Sequence, residues 1–150
     1  HRPVRFVMHY NVYNLPVLHF IFKTAKTISI AGKKEDPVRL EKAMDEIDQA
    51  LRDGDLVCLF PEGRLTYDGE MIEFRAGVEK IIERYPVPVI PTALKGLWGS
   101  AFSREPSNIF YRLMRGIKSR VGLYIGDAIE PQQVTAKMLQ KKVQALCDLK

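Results

Sequence analysis

Apolar positions along the chain fall into two rhythms that alternate. The run Leu56-Val57-Cys58-Leu59-Phe60 is continuous and short, the pattern of a strand buried on both faces. Just before it, Leu40, Ala43, Met44, Ile47 and Leu51 recur at helical spacing, with acids and bases interleaved, and predict an amphipathic helix over 38–52. Asp53-Gly54-Asp55 ends that helix and leads into the strand. Residues 4–8 read as a short strand, and 16–26, with Leu18, Phe20, Ile21 and Phe22, as an apolar helix. Residues 27–31 are β-branched enough for a second strand, closed by a polar turn over 32–37. A helix is predicted over 74–85, with Val78, Ile81 and Ile82 as its apolar stripe, stopping before Pro86. Residues 87–94 are extended, their prolines marking an edge strand or a strand end. Beyond Gly96 the pattern loosens. It recovers as a strand over 121–125 and an amphipathic closing helix over 134–149.

Strands alternating with helices imply an α/β fold: a single domain with a mostly parallel or mixed sheet covered by helices on both faces. The 150 residues suffice for one such core, and no repeat, linker or low-complexity tract divides them.

Composition adds little to this picture. With 46% hydrophobic and 27% charged residues the chain is an ordinary globular one. Its formal charge of +5 favours anionic partners such as a phospholipid surface, a phosphorylated substrate, a coenzyme or nucleic acid. The 2 cysteines, Cys58 and Cys147, have neither disulfide nor metal spacing and suit a reducing compartment. No apolar run reaches the length of a membrane span, and residue 1 is a histidine, so the chain is expected to be part of something longer.

The chemistry concentrates where the central strand ends. Phe60-Pro61-Glu62-Gly63-Arg64 delivers an acid and a base into a loop that closes on Asp68-Gly69. Pro61 and Gly63 constrain the backbone around Glu62, and Gly63 leaves main-chain N–H groups open to an anion. Arg64 carries a planar fork suited to phosphate. A structural ion pair between Glu62 and Arg64 is the bland alternative. Lys33 and Lys34 follow a strand in the same way and offer a second phosphate contact, against the commoner outcome of a solvated turn. Lys95 has similar standing.

The histidines are less suggestive. His9 has an amide, Asn14, where a carboxylate would be needed to stabilise an imidazolium; His19 lies in an apolar helical pattern, and His1 stands at the start. No histidine and carboxylate stand at a spacing that pairs them. Nucleotide-binding glycine fingerprints, a serine elbow and a metal cluster are absent from the sequence. The basic aromatic stretch 110–120, with Arg112, Arg115, Lys118 and Arg120, suits an anionic membrane or nucleic acid; no nucleic-acid module accompanies it, and a half-buried helix is the simpler outcome.

Three blocks in order, Phe60-Pro61-Glu62-Gly63-Arg64, then Phe74-Arg75-Ala76-Gly77, then Val89-Ile90-Pro91-Thr92, resemble the glycerolipid acyltransferase family that includes lysophosphatidic acid acyltransferases. The resemblance spans residues 2–125. It implies transfer of a fatty acyl group from an acyl-coenzyme A or acyl-carrier-protein thioester to the free hydroxyl of a lysophospholipid, without metal or redox cofactor. Glu62, Gly63 and Arg64 would bind the acceptor, with Lys33 and Lys34 as further contacts, and Phe60, Pro61, Thr66, Gly77 and Pro91 would support the motif. The partners implied are the lysophospholipid, the acyl donor and a membrane surface on its cytoplasmic side.

Two departures qualify it. Many members of the family have threonine and arginine after the glycine, where this chain has Arg64 and Leu65, so the guanidinium is shifted by one position. With Thr66 and Asp68-Gly69 the variant looks more like the acyltransferase part of bifunctional bacterial enzymes that reacylate lysophosphatidylethanolamine and carry an acyl-carrier-protein synthetase domain. The family's first block, a histidine and an aspartate separated by four residues, is not found either. No catalytic residue is therefore assigned here; the base is expected upstream of His1, making this an acyltransferase-like domain truncated at its N-terminal side and inactive alone. A non-catalytic module that binds phospholipid or a partner is the alternative.

Overall fold

The computed structural model describes residues 2–13, 23–64, 69–96 and 121–149. Its centre is a parallel three-stranded sheet of β1 (Val4–His9), β2 (Ile28–Ile30) and β3 (Leu56–Leu59), in the order β2-β1-β3. Register follows the apolar alternation: Val7 stands opposite Ile28 on one side and Leu59 on the other. A single helical turn, α1 (Tyr10–Tyr13), follows β1 directly and has no counterpart in the sequence pattern.

The long helix α2 (Pro37–Arg52) forms where the periodicity predicts it. Asp36 caps it, its carboxylate accepting the Arg39 N–H at 2.9 Å, and Pro37 occupies the first turn, where no amide donor is required. Gly54, at φ 83°, turns the chain out of the helix and into β3. The face α2 buries is narrow and small, with Ala43, Ile47 and Ala50 against Val7 and Ile28 of the sheet. Ile47 is 0% exposed and Ile28 1%, so each contributes roughly 2 kcal/mol of burial.

Residues 74–76 are not helical, so α3 (Gly77–Arg84) begins later than its apolar stripe suggests. The Phe74 N–H donates to the Gln140 side chain at 3.2 Å and the Arg75 N–H to the Pro61 carbonyl at 2.9 Å, so these amides serve neighbouring segments. Arg84 at the far end of α3 binds Glu41, Asp45 and Asp48 of α2 and clamps the two helices together.

The remaining strands form a separate antiparallel pair, β4 (Thr92–Lys95) with β5 (Gly122–Ile125). Among the described residues, the extended stretch 87–91 makes one isolated bridge, Val89 with Ile129; Pro88 and Pro91 have no amide to continue a ladder. A 3-10 turn at Pro131–Gln133 precedes α4 (Ala136–Asp148), capped by the Thr135 hydroxyl. A second core cluster joins these parts: Phe74, Val78 and Ile82 pack with Ile129, Val134 and Leu139. Leu59 touches both clusters and ties them into one body.

The expected fold class therefore holds, as an α/β arrangement with a parallel sheet. The helix expected over 16–26 lies mostly outside the described residues, as do Trp98 and the basic stretch 110–120. Among the described residues, helices pack on the Val7 face of the sheet, while Phe6 and Leu56 on the other face are 39% and 40% exposed. No helix among the described residues is long and apolar enough to cross a membrane.

Candidate functional site

Because β1, β2 and β3 are parallel, the loops that follow them converge on one edge of the sheet, where ligands bind in open α/β folds. The loop after β3 is a tight turn. The Gly63 N–H donates to the Phe60 carbonyl at 3.1 Å, and Gly63 sits at φ 67°, a conformation side chains rarely adopt. Phe60 is 53% exposed, so the apolar strand ends with its last aromatic ring at the surface.

Glu62 is half-buried and points back into its own loop. Its carboxylate accepts the Ile72 N–H at 3.0 Å and so links the two ends of the segment that contains Thr66. Thr66 itself lies outside the described residues. Arg64 is exposed just beyond the turn, and the side chains of Glu62 and Arg64 form no ion pair among the described residues. Arg75 lies over the turn: a β-carbon added to Gly63 would stand 3.1 to 3.3 Å from its Nε, Cδ and Cζ atoms.

At the ends of β1 and β2 the structure corrects the sequence reading. A histidine-carboxylate pair does exist: His9 Nε2 lies 2.9 Å from the Glu35 carboxylate. The partners are far apart in sequence and meet only because β1 and β2 are neighbours, so no local motif shows them. The same Glu35 oxygen accepts the Gly32 N–H at 3.1 Å and closes the turn that carries Lys33 and Lys34. Its bond to His9, then the Gly32 N–H, and more weakly the nearby charge of Arg75 hold the Glu35 carboxyl below its ordinary value, against the opposing effect of desolvation.

Lys33 and Lys34 are exposed on that turn. With β1 between β2 and β3, they and the Gly63 turn are separated by about two strand spacings, roughly 10 Å. Lys95 is employed elsewhere: its ammonium binds the Leu149 carbonyl and sits 5.0 Å from the Tyr124 ring. No group of His, Cys, Asp and Glu able to hold a metal occurs among the described residues. A crevice of about 520 Å³ lined by Pro3, Arg5, Thr24 and Asp55 opens at the opposite, amino edge of the sheet. There Arg5 and Asp55 pair at 2.5 Å.

Residues 1–95 match the acyltransferase family model, well over half of the chain. The chain belongs to the acyltransferase family. It is 26% identical over 87 residues to a probable 1-acyl-sn-glycerol-3-phosphate acyltransferase of Mycoplasma pneumoniae, an alignment covering 57% of this chain and 33% of that protein. Its fold is similar to that of the 1-acyl-sn-glycerophosphate acyltransferase PlsC from Thermotoga maritima. That match has a TM-score of 0.66 at 15% identity and covers 97% of this chain and 56% of the other. The chain thus spans about a third of one relative and a little over half of the other.

In this member of the family the motif residues fall in structurally distinct places. Pro61 offers its carbonyl to Arg75, Gly77 opens α3, and the buried Pro91 accepts the Gly126 N–H at 2.9 Å beside β4. The sequence reading missed Glu35 and Arg75. Arg75 was in view as a letter of its block, and its charge became informative only once the chain folded it over Gly63.

Proposed function

We propose that the protein carrying this chain transfers a fatty acyl group from a coenzyme A or acyl-carrier-protein thioester to the free hydroxyl of a lysophospholipid, on the cytoplasmic side of a membrane. The turn at the end of β3 carries this reading. It lies within the matched family residues, its glycine is held in a left-handed conformation, and Glu62 braces the loop through the Ile72 N–H. In the reaction the acceptor oxygen bonds to the thioester carbonyl carbon, the carbon-sulfur bond breaks, and the hydroxyl proton passes through a base to the departing thiolate.

His9 is poorly placed to be that base. Its Nε2 faces Glu35 and its Nδ1 accepts the Asn11 N–H at 3.4 Å, so neither nitrogen has a free lone pair aimed outward. No described residue of this chain is assigned as that base. Among acceptors, lysophosphatidylethanolamine is favoured by the sequence Glu62-Gly63-Arg64-Leu65-Thr66 followed by Asp68-Gly69. Glu62, Gly63 and Arg64, with Lys33 and Lys34 beyond β2, form the acceptor side of the site.

The test is transfer of labelled acyl groups to lysophosphatidylethanolamine by the full-length protein. Wild type is expected to turn over and Glu62→Ala to lose most activity, while the 150 residues alone bind the headgroup without transfer. Normal turnover by full-length Glu62→Ala would sink the site assignment. Vesicle binding by the full-length protein without any transfer would favour a non-catalytic lipid-binding module.

A further inference from the structure

We propose that Arg75 is a phosphate-gripping residue of the acceptor site, its guanidinium acting from above the Gly63 turn together with that of Arg64. The proposal rests on the acyltransferase reading for its substrate, but its geometry is independent of it. The chemistry recognised is a phosphate monoester or diester.

The arginines among the described residues divide into two groups. Arg2 donates to the Gly54 carbonyl, Arg5 pairs with Asp55, Arg39 with Asp36, and Arg84 with three acids, while Arg52 covers the Tyr85 ring. Arg64 and Arg75 alone have no partner for the guanidinium among the described residues, and both stand on the Gly63 turn. Both are exposed, and a guanidinium that no described acid pairs with, beside a glycine turn at the carboxyl edge of the sheet, is a favourable arrangement for an anion.

Position separates the two. Arg64 follows the turn and leads into the segment bridged by Glu62, and among the described residues its guanidinium has no hydrogen-bond or ion-pair partner. Arg75 is held at its base from both sides. The Phe74 ring is buried and its N–H is bound to Gln140, while the Arg75 N–H is bound to the Pro61 carbonyl. Its side chain then lies in the space that any side chain at position 63 would need. Glu35, whose carboxylate feels the charge of Arg75, is bonded to His9 and the Gly32 N–H and forms no ion pair with that guanidinium.

The experiment compares full-length wild type, Arg75→Gln, Arg75→Lys and Arg64→Gln with three acceptors: lysophosphatidate, lysophosphatidylethanolamine and phosphate-free monoacylglycerol. Arg75→Gln is expected to raise KM for both phosphate-bearing acceptors by about 10- to 100-fold, the scale of losing one or two charge-assisted hydrogen bonds, with kcat and donor KM nearly unchanged. Activity toward monoacylglycerol should move little, and Arg75→Lys should restore part of the loss. A larger effect from Arg64→Gln with no acceptor effect from Arg75→Gln, or an increase confined to donor KM, would overturn the proposal. A second arm titrates inorganic phosphate and glycerol 3-phosphate against the arginine Nε–H resonances. Glycerol 3-phosphate shifting the Arg75 signal in wild type, and no corresponding binding in Arg75→Gln, supports the site; unchanged binding in Arg75→Gln refutes it. Inorganic phosphate binding as tightly as glycerol 3-phosphate would mark a free-phosphate site and overturn the assignment to an acceptor. Should wild type transfer no acyl group, the function reading fails, and this titration still decides Arg75. Should Arg75→Gln fail to fold, Arg75→Lys decides by the same measurements, since it keeps the stem over Gly63 and removes only the fork.

Discussion

His9, at the end of β1, and Glu35, in the turn after the adjacent parallel strand β2, share a hydrogen bond of 2.9 Å, and the same carboxylate oxygen closes that turn. The pair therefore joins the loops after β1 and β2 at the edge where the Gly63 turn also emerges. Its acid is the more informative member, because its folded-state pKa lies below its ordinary value of 4.5, chiefly through the His9 bond. A carboxyl depressed by folding stabilises the native state above its unfolded pKa, and that contribution disappears as pH falls through the folded pKa. Glu35→Gln is expected to lower Tm at neutral pH, and the difference from wild type should shrink to nothing in acid below 4.5. Thermal unfolding at a series of pH values measures it; a gap that persists in strong acid would show that Glu35 acts by packing alone.

Gly63 offers a second test. An alanine there must adopt φ 67° and place its methyl 3.1 Å from Arg75 Nε. The backbone cost is about 1 to 2 kcal/mol, with a further displacement of the guanidinium. Urea unfolding should show that loss. A stability equal to wild type would mean that the turn can relax to a conformation alanine tolerates.

Ile47 anchors α2 on the sheet with no exposed surface. Ile47→Ala should cost about 2 to 5 kcal/mol in urea unfolding, a transfer loss plus the cavity left behind. A change below 1 kcal/mol would contradict the tight packing seen between Ala43, Ala50 and Val7.

Arg84 binds three acids at once, and Asp48 among them is 8% exposed with its Oδ1 unpartnered. Arg84→Met should destabilise by stranding Asp48, and the penalty should diminish with added salt where Glu41 and Asp45 face solvent. Unfolding at low and high ionic strength reads both components; Asp48→Asn combined with Arg84→Met should recover part of the loss. No recovery would mean that the clamp works through Glu41 and Asp45 instead.

Much of this molecule could be read from residue order, and the reasons differ by region. β3 and α2 were legible because Leu56 to Phe60 and the Leu40, Ala43, Ile47 series obey one period each, and the Asp53-Gly54 signal separates them. The start of α3 was not, since Phe74 and Arg75 continue an apolar pattern while their amides bond to Gln140 and Pro61, partners that no local rule specifies. Glu62 in its loop was visible for the same reason as β3: a strand that stops at Pro61-Glu62-Gly63 must present those groups at its end. The His9 and Glu35 pair was invisible, because His9 ends β1 while Glu35 lies in the turn after β2, and the two are neighbours only through the β2-β1-β3 order. Charge recognition followed the same divide. Arg64 is obvious beside the glycine, and Arg75 emerges only from the space above it.

The sheet's parallel order also separates two kinds of evolutionary freedom. Arg5 with Asp55, the Gly54 turn and the crevice beside them occupy the amino edge, and the loops after β1, β2 and β3 occupy the other. Substitutions at the amino edge meet the Arg5 and Asp55 pair, while those at the other must keep the bonds of Glu35 and Glu62 that brace its turns. Sequence change in these loops is therefore freest at positions that carry none of those bonds, such as the exposed Lys33, Lys34 and Arg64.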